Sequence, residues 1–244
     1  LLKAASTAPE VTHVLHVFGA PCQDVSGLKA IRDGVAGKKS SLLLEIPRVR
    51  ALLRKVFCKD CKIREVGENV ASMNMADQLA YDKVMQCKPL RLCPRHFSWV
   101  RRPRLFWTKA KLVQGPGVRL RPLARYVDVQ LAAKRMALSR WLPRGWRLYS
   151  RTTIFPTFVR AIRKKKPPFM PAGLASLTDE ERDRYFADEF VYPPYQYRNQ
   201  YMVVSPAGKL VPPSAAMREV LMGFARDSTY TCWTAAERRK RIVG

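Results

Sequence analysis

The chain is short of acid: 19 Asp plus Glu stand against 45 Lys plus Arg, a formal net charge of +26 over 244 residues. Such an excess of one sign repels itself in a compact state unless a polyanion neutralises it. Nucleic acid is therefore the expected partner, with an anionic membrane surface as its rival. Long apolar runs are missing too. No window approaches eighteen uninterrupted apolar residues, which argues against a membrane-spanning helix, and no basic amphipathic helix stands alone to lie on a lipid surface. The opening LLKAASTAPE has neither a charged n-region nor an apolar h-region. No signal peptide is expected, and the chain reads as beginning inside a domain. Cysteines are few and unevenly spaced, at 22, 58, 61, 87, 93 and 232, which does not suggest a secreted disulfide scaffold and better suits a reducing compartment. Cys58 and Cys61 have the spacing of half a zinc site. The gap between Cys87 and Cys93 is too wide for the other half, and no histidine stands beside them, so loop cysteines are the expectation.

What is present can fill a core, since 47% of the residues are hydrophobic. Val11 to Phe18 is a valine-rich run ending at Gly19 and reads as a buried strand, with Cys22 at its carboxyl end. Between Ser40 and Phe57 apolar residues recur at helical spacing. That predicts a helix kinked or restarted at Pro47, with Arg48, Arg50, Arg54 and Lys55 facing out. KIREVGENV is a second strand, carrying Glu68 and Asn69 near its end; Met73 to Met85 reads as a helix and Leu90 to Leu92 as a strand. HFSWVRRPRLFW supplies further strands, with Arg102 and Arg104 two apart and so on one side of the pleat. Strands alternating with helices predict an α/β fold with a parallel or mostly parallel sheet, in which ligands collect at the carboxyl ends of the strands. From about Lys109 to Pro213 the periodicity weakens and Pro, Arg and aromatic residues dominate, which predicts a separate, irregular, partly β module. Helical pattern returns in SAAMREVLMGF.

Three features could carry chemistry. A cysteine after a proline at a strand end is placed to act as a thiolate nucleophile. It could equally be a buried thiol that packs as a small hydrophobe. Glu68 can be a solvated strand-end carboxylate or an acid, and Arg102 with Arg104 a solvated basic face or a pairing group. Tyr192, Tyr195, Tyr197 and Tyr201 could stack on bases, but their spacing better suits the small core of the irregular module.

The order of these features resembles the DNA (cytosine-5) methyltransferases, nearest the eukaryotic de novo branch. GAPCQDVSG, then ENV, then RPRLFW match successive motifs of that family, with Pro21, Gln23, Ser26 and Val70 as motif support. RDGVAGKKSSLLLEIPRV, YSRTTIFPTF and MREVLMGFARDST extend the match. The resemblance implies an incomplete class I (Rossmann-like) methyltransferase sheet with an inserted target-recognition module: residues 1–107 and 216–244 catalytic, 108–215 target-recognising. It further implies that Cys22 adds to C6 of a flipped-out cytosine, that Glu68 serves N3 with Asn69 orienting, and that Arg104 pairs with Glu68 while Arg102 faces the cytosine carbonyl. Arg151, Thr152 and Thr153 become candidates for phosphate or base contacts, and Lys164, Lys165 and Lys166 for attraction to the DNA backbone. The implied methyl donor is S-adenosylmethionine, the partner double-stranded DNA and not a membrane, and the location the nucleus.

The match also has gaps. Val100 stands where the family often has glutamine, and Ala225 where it has proline after GF. The glycine-rich turn and acidic residue that bind the donor are expected upstream of Leu1, and Gly115 and Gly117 read as an ordinary turn. An inactive or weakly active fragment is the expectation. A non-catalytic nucleic-acid-binding module and a transfer-RNA cytosine-5 methyltransferase are the competing readings.

Overall fold

The computed structural model describes residues 11–27, 32–57, 61–111, 113, 115–135, 137–138, 142–150, 154–158 and 173–224. Its contacts divide it into two compact units, Leu1–Cys93 with Pro103–Ala132, and Pro94–Arg102 with Ala133–Gly244. In chain order the strands are β1 (His13–Gly19), β2 (Lys62–Val70), β3 (Leu90–Leu92), β4 (Val100–Arg101), β5 (Arg104–Thr108), β6 (Val118–Pro122), β7 (Val127–Leu131), β8 (Arg147–Leu148), β9 (Phe155–Pro156), β10 (Val203–Val204) and β11 (Leu210–Val211). The α-helices are α1 (Glu45–Val56), α2 (Met75–Met85), α3 (Asp179–Ala187) and α4 (Ala215–Leu221).

The first unit is built on a six-stranded sheet in the order β1-β2-β5-β3-β7-β6. β1 pairs with β2 in parallel, from His13 opposite Lys62 to Gly19 opposite Glu68, and α1 makes the crossover between them. β5 lies antiparallel to both β2 and β3, β7 is parallel to β3, and β6 closes a hairpin on β7. Four strands thus run one way and two the other. The sheet is mixed: of its neighbouring pairs only β1/β2 and β3/β7 are parallel. Close pairing of β1 with β2 has a local requirement at Gly67, where a Cβ would fall 2.7 Å from the Phe18 ring that lies opposite.

One face of this sheet holds the core. Leu105 and Trp107 of β5 and Val70 of β2 pack against Val25, Leu43, Ile46, Met73, Tyr81 and Met85. The other face is apolar but open: Leu15 and Val17 of β1 are 65% and 64% exposed, and Leu90, Phe106, Leu120 and Val129 line a shallow groove on it.

α1 follows a 3-10 turn over Ser40–Leu44 and runs unbroken from Glu45. Of the expected kink or restart at Pro47, the structure shows a restart at Glu45 and no kink, because the proline sits in the first turn, where its missing N–H has no intrahelical acceptor to lose. Nor does Arg50 face outward. Its Nε donates to Glu65 on β2 at 2.7 Å and its terminal nitrogen to the Val84 carbonyl. α2 begins where Asn74 accepts the Asp77 N–H, a side-chain cap that satisfies one of the orphan donors of the first turn.

The second unit packs Phe155, Leu177, Tyr185, Tyr192, Tyr197, Val203, Met217 and Leu221 into its own core. Tyr192 and Tyr197 are buried there, with Tyr201 packed alongside, as the tyrosine spacing predicts, whereas Tyr195, expected with them, is half-buried and not part of that cluster. A capping box of Thr178 and Glu181 starts α3, and Ser214 caps α4. These limits differ from the expected domains. Residues 118–131, expected in the inserted module, extend the sheet of the first unit. Met217, Val220 and Leu221 of α4, expected to rejoin the catalytic part, belong to the core of the second.

Candidate functional site

Cys22 lies three residues past the end of β1, in a turn closed by two amides: the N–H groups of Val25 and Ser26 donate to its carbonyl at 3.2 and 2.8 Å. The turn is bound to its surroundings on every side. Buried Asp24 accepts the N–H groups of Lys39 and Ser40 through Oδ2 at 3.0 and 3.1 Å, and the Ser40 hydroxyl donates to the Pro21 carbonyl at 3.0 Å. Gly27 N–H donates to Ser72 Oγ at 3.0 Å, Arg32 to the Ser72 carbonyl, and Val35 N–H to Asp77 Oδ1. The carboxylate acceptors, Asp24 and Asp77, make their share of these bonds stronger than neutral ones. Gln23 is exposed and Ser26 buried.

Glu68 is placed by the pairing of β2 with β1, which sets it opposite Gly19. Its Oε1 is held by Arg104 Nε at 2.8 Å, and Arg104 is set on the next strand, opposite Val70. Oε2 is left over the glycine, where a Cβ on residue 19 would stand 3.4 Å from it. Asn69 points to the other side of the pleat. There its Nδ2 donates to the Ala20 carbonyl at 3.0 Å and to the Tyr81 hydroxyl at 2.6 Å, while its Oδ1 accepts the Val70 N–H at 2.7 Å. Burial pushes the Tyr81 hydroxyl pKa well above the ordinary tyrosine range; the bond from Asn69 works against that rise, and the charges of Cys22, Asp77 and Glu68 add to it. The ring of Tyr81 stacks on Trp107 at 4.9 Å, and Trp107 Nε1 donates to Asp82.

The structure thus gathers Cys22, Glu68, Asn69 and Arg104 at one end of β1, β2 and β5. β4 stops at Arg101 and β5 starts at Arg104, in different sheets, and Arg102 belongs to the second unit. The two arginines do not share a pleat because Pro103 has no N–H for a ladder and restricts the residue before it. Arg151, Thr152, Thr153, Lys164, Lys165 and Lys166 lie outside the described residues.

Sequence reasoning did not find Asp24, Ser40, Ser72 or Tyr81. A glycine at 37 was the one available sign of Asp24, since a Cβ there would fall 2.4 Å from the carboxylate. Cys61, Cys87 and Cys93 are free thiols, and no group of three or more potential metal ligands occurs among the described residues. Among the same residues no helix is long and apolar enough to cross a membrane. A scan against protein-family models finds no match, and a search of curated proteins finds none either.

Proposed function

We propose that this chain carries the base-activating site of a DNA (cytosine-5) methyltransferase, with Cys22 as nucleophile, Glu68 as the acid at N3 and Arg104 as the partner of Glu68. One observation supports the reading: the cysteine turn follows β1 and an arginine-paired carboxylate stands near the end of β2, the adjacent parallel strand, with Gly19 opposite the carboxylate.

In this reading the Cys22 thiolate adds to C6 of cytosine, and the electron pair displaced from the C5–C6 bond spreads toward N3 and C5. Glu68 Oε2 delivers a hydrogen bond or proton at N3, where that charge develops. Arg104 holds the carboxyl group through Oε1 and so fixes its orientation toward the ring. With C5 now nucleophilic, it takes up a proton from solvent; loss of the original C5 hydrogen to solvent, return of any N3 proton to Glu68 and expulsion of the thiolate then restore cytosine. The ring cannot be reached inside a stacked duplex, so the base must be flipped out, at a cost of a few kcal/mol. The net charge of +26 suits the polyanion that carries it.

S-adenosylmethionine would supply the methyl group. Among the described residues Gly115 and Gly117 open the β6–β7 hairpin, where the Ala132 N–H donates to the Gly117 carbonyl, rather than a helix. They do not fit an adenosyl cradle, and no step above runs through the donor.

The half-reaction is directly measurable without a donor. In deuterated water the chain should exchange the C5 hydrogen of cytosine in duplex DNA, and Cys22→Ala should abolish exchange while binding DNA equally well. Equal exchange by both proteins would refute Cys22 as the nucleophile. Exchange confined to transfer RNA offered alongside would reassign the substrate.

A further inference from the structure

We infer that Tyr81 is a positioning residue, acting through Asn69 to hold the Cys22 turn against β2. The functional consequence rests on the reading of Cys22 as nucleophile; the mechanical consequence does not.

Asn69 and Tyr81 are each 1% exposed. A side-chain amide has two N–H donors, and Nδ2 of Asn69 serves two acceptors, the Ala20 carbonyl and the Tyr81 hydroxyl, at 3.0 and 2.6 Å. Its oxygen takes the Val70 N–H. One amide therefore joins β2 to the residue that follows β1 and to a side chain of α2. Ala20 is two residues from Cys22, so whatever fixes the Asn69 amide also fixes the approach of the turn.

Tyr81 has the rigidity for that task. Its ring is stacked on Trp107 of β5 at 4.9 Å and 26°, and the indole is held by Asp82, the next residue along α2, at 2.6 Å. The ring alone would suffice if Tyr81 were only a core aromatic. The hydroxyl is what reaches Asn69. Replacing it by hydrogen leaves a buried amide N–H without its acceptor, and the amide must then turn or admit water to recover one. Either response weakens its hold on Ala20.

Tyr81→Phe in the full chain keeps the stacked ring and removes only this oxygen. Three measurements read the result: hydrogen exchange of the Val25 and Ser26 amides, iodoacetamide labelling of Cys22 beside Cys87 as internal reference, and adduct formation with duplex DNA carrying 5-azacytosine. Loss of one buried hydrogen bond should raise both exchange and Cys22 labelling about five- to tenfold, leave Cys87 unchanged, and slow adduct formation by a similar factor. A loosened turn thus labels faster with a small electrophile yet adds more slowly to a base. In an Asn69→Ala background, Tyr81→Phe should add nothing further to Cys22 labelling. Unchanged Cys22 labelling, a rise shared equally by Cys22 and Cys87, or full additivity with Asn69→Ala would each overturn the inference. If the parent chain forms no adduct while Tyr81→Phe still accelerates Cys22 labelling alone, the enzymatic reading fails and the positioning role stands.

Discussion

Gly37→Ala tests how the Cys22 turn is held. The backbone at Gly37 is extended, with φ −61° and ψ 146°, so alanine meets no backbone strain there. What it meets is Asp24: the added Cβ would fall 2.4, 2.5 and 2.6 Å from Oδ2, Cγ and Cβ of that buried residue. Side chain and loop must separate, which costs about 1–3 kcal/mol as overpacking. The same shift breaks the bonds from Lys39 and Ser40 N–H to Oδ2, and hydrogen bonds to a charged acceptor contribute about 1.5–3 kcal/mol each. Partial relaxation makes the terms less than additive, and about 3 kcal/mol is the expected total. For a chain of this size that lowers Tm by roughly 6–12 °C and speeds hydrogen exchange of the Lys39 and Ser40 amides about a hundredfold. Gly115→Ala is the control, since a Cβ there meets nothing within 4 Å; surface changes of that kind stay within about 0.5 kcal/mol. If Gly37→Ala melts and exchanges like Gly115→Ala, Asp24 does not anchor the turn.

Other perturbations separate folding from chemistry. Arg104→Leu removes the partner of a Glu68 side chain that is 37% exposed, so solvent screening limits the stability loss to about 1 kcal/mol, while C5 exchange should fall at least about a hundredfold; parallel losses of both would make the pair structural. For Tyr81 the folded pKa lies above the unfolded one, so its stabilisation is complete below about pH 10 and is lost as pH climbs toward the folded value. Melting points taken from about pH 9 to about pH 11 should therefore fall less steeply for Tyr81→Phe than for the parent, and identical slopes would count against the buried phenol. DNA affinity should drop by orders of magnitude between roughly 50 and 200 mM salt, and an affinity indifferent to salt would remove the polyanion argument.

The parts of the fold that could be read from the sequence are those where local pattern and burial agree. β2 and α2 are such parts; β1 forms where its apolar run predicts a strand, but as an open strand rather than a buried one, with Leu15 and Val17 65% and 64% exposed. Cys22 and Glu68 were legible because strand ends are where sheets of this class collect ligands. β6 and β7 were not placed, because VRLRP and VDVQL are short, half-exposed strands whose alternation is diluted by arginine and aspartate. The pairing of β7 with β3 is long-range and not encoded in local sequence. Arg102 was misplaced because a two-residue spacing implies one face only while the strand continues, and Pro103 ends it. Asp24 and Tyr81 carry no periodic signature at all: their importance lies in which backbone and side-chain groups they reach across the fold.

The account stands or falls on where the sulfur of Cys22 goes when the protein meets cytosine. Incubating the chain with a randomised duplex carrying 5-azacytosine, digesting it and sequencing the crosslinked peptide by mass spectrometry asks this directly. The account predicts one nucleotide-bearing peptide, attached through Cys22 and absent in Glu68→Gln protein that still binds the duplex. A crosslink through another cysteine, or none from a chain that binds that DNA tightly, would contradict it.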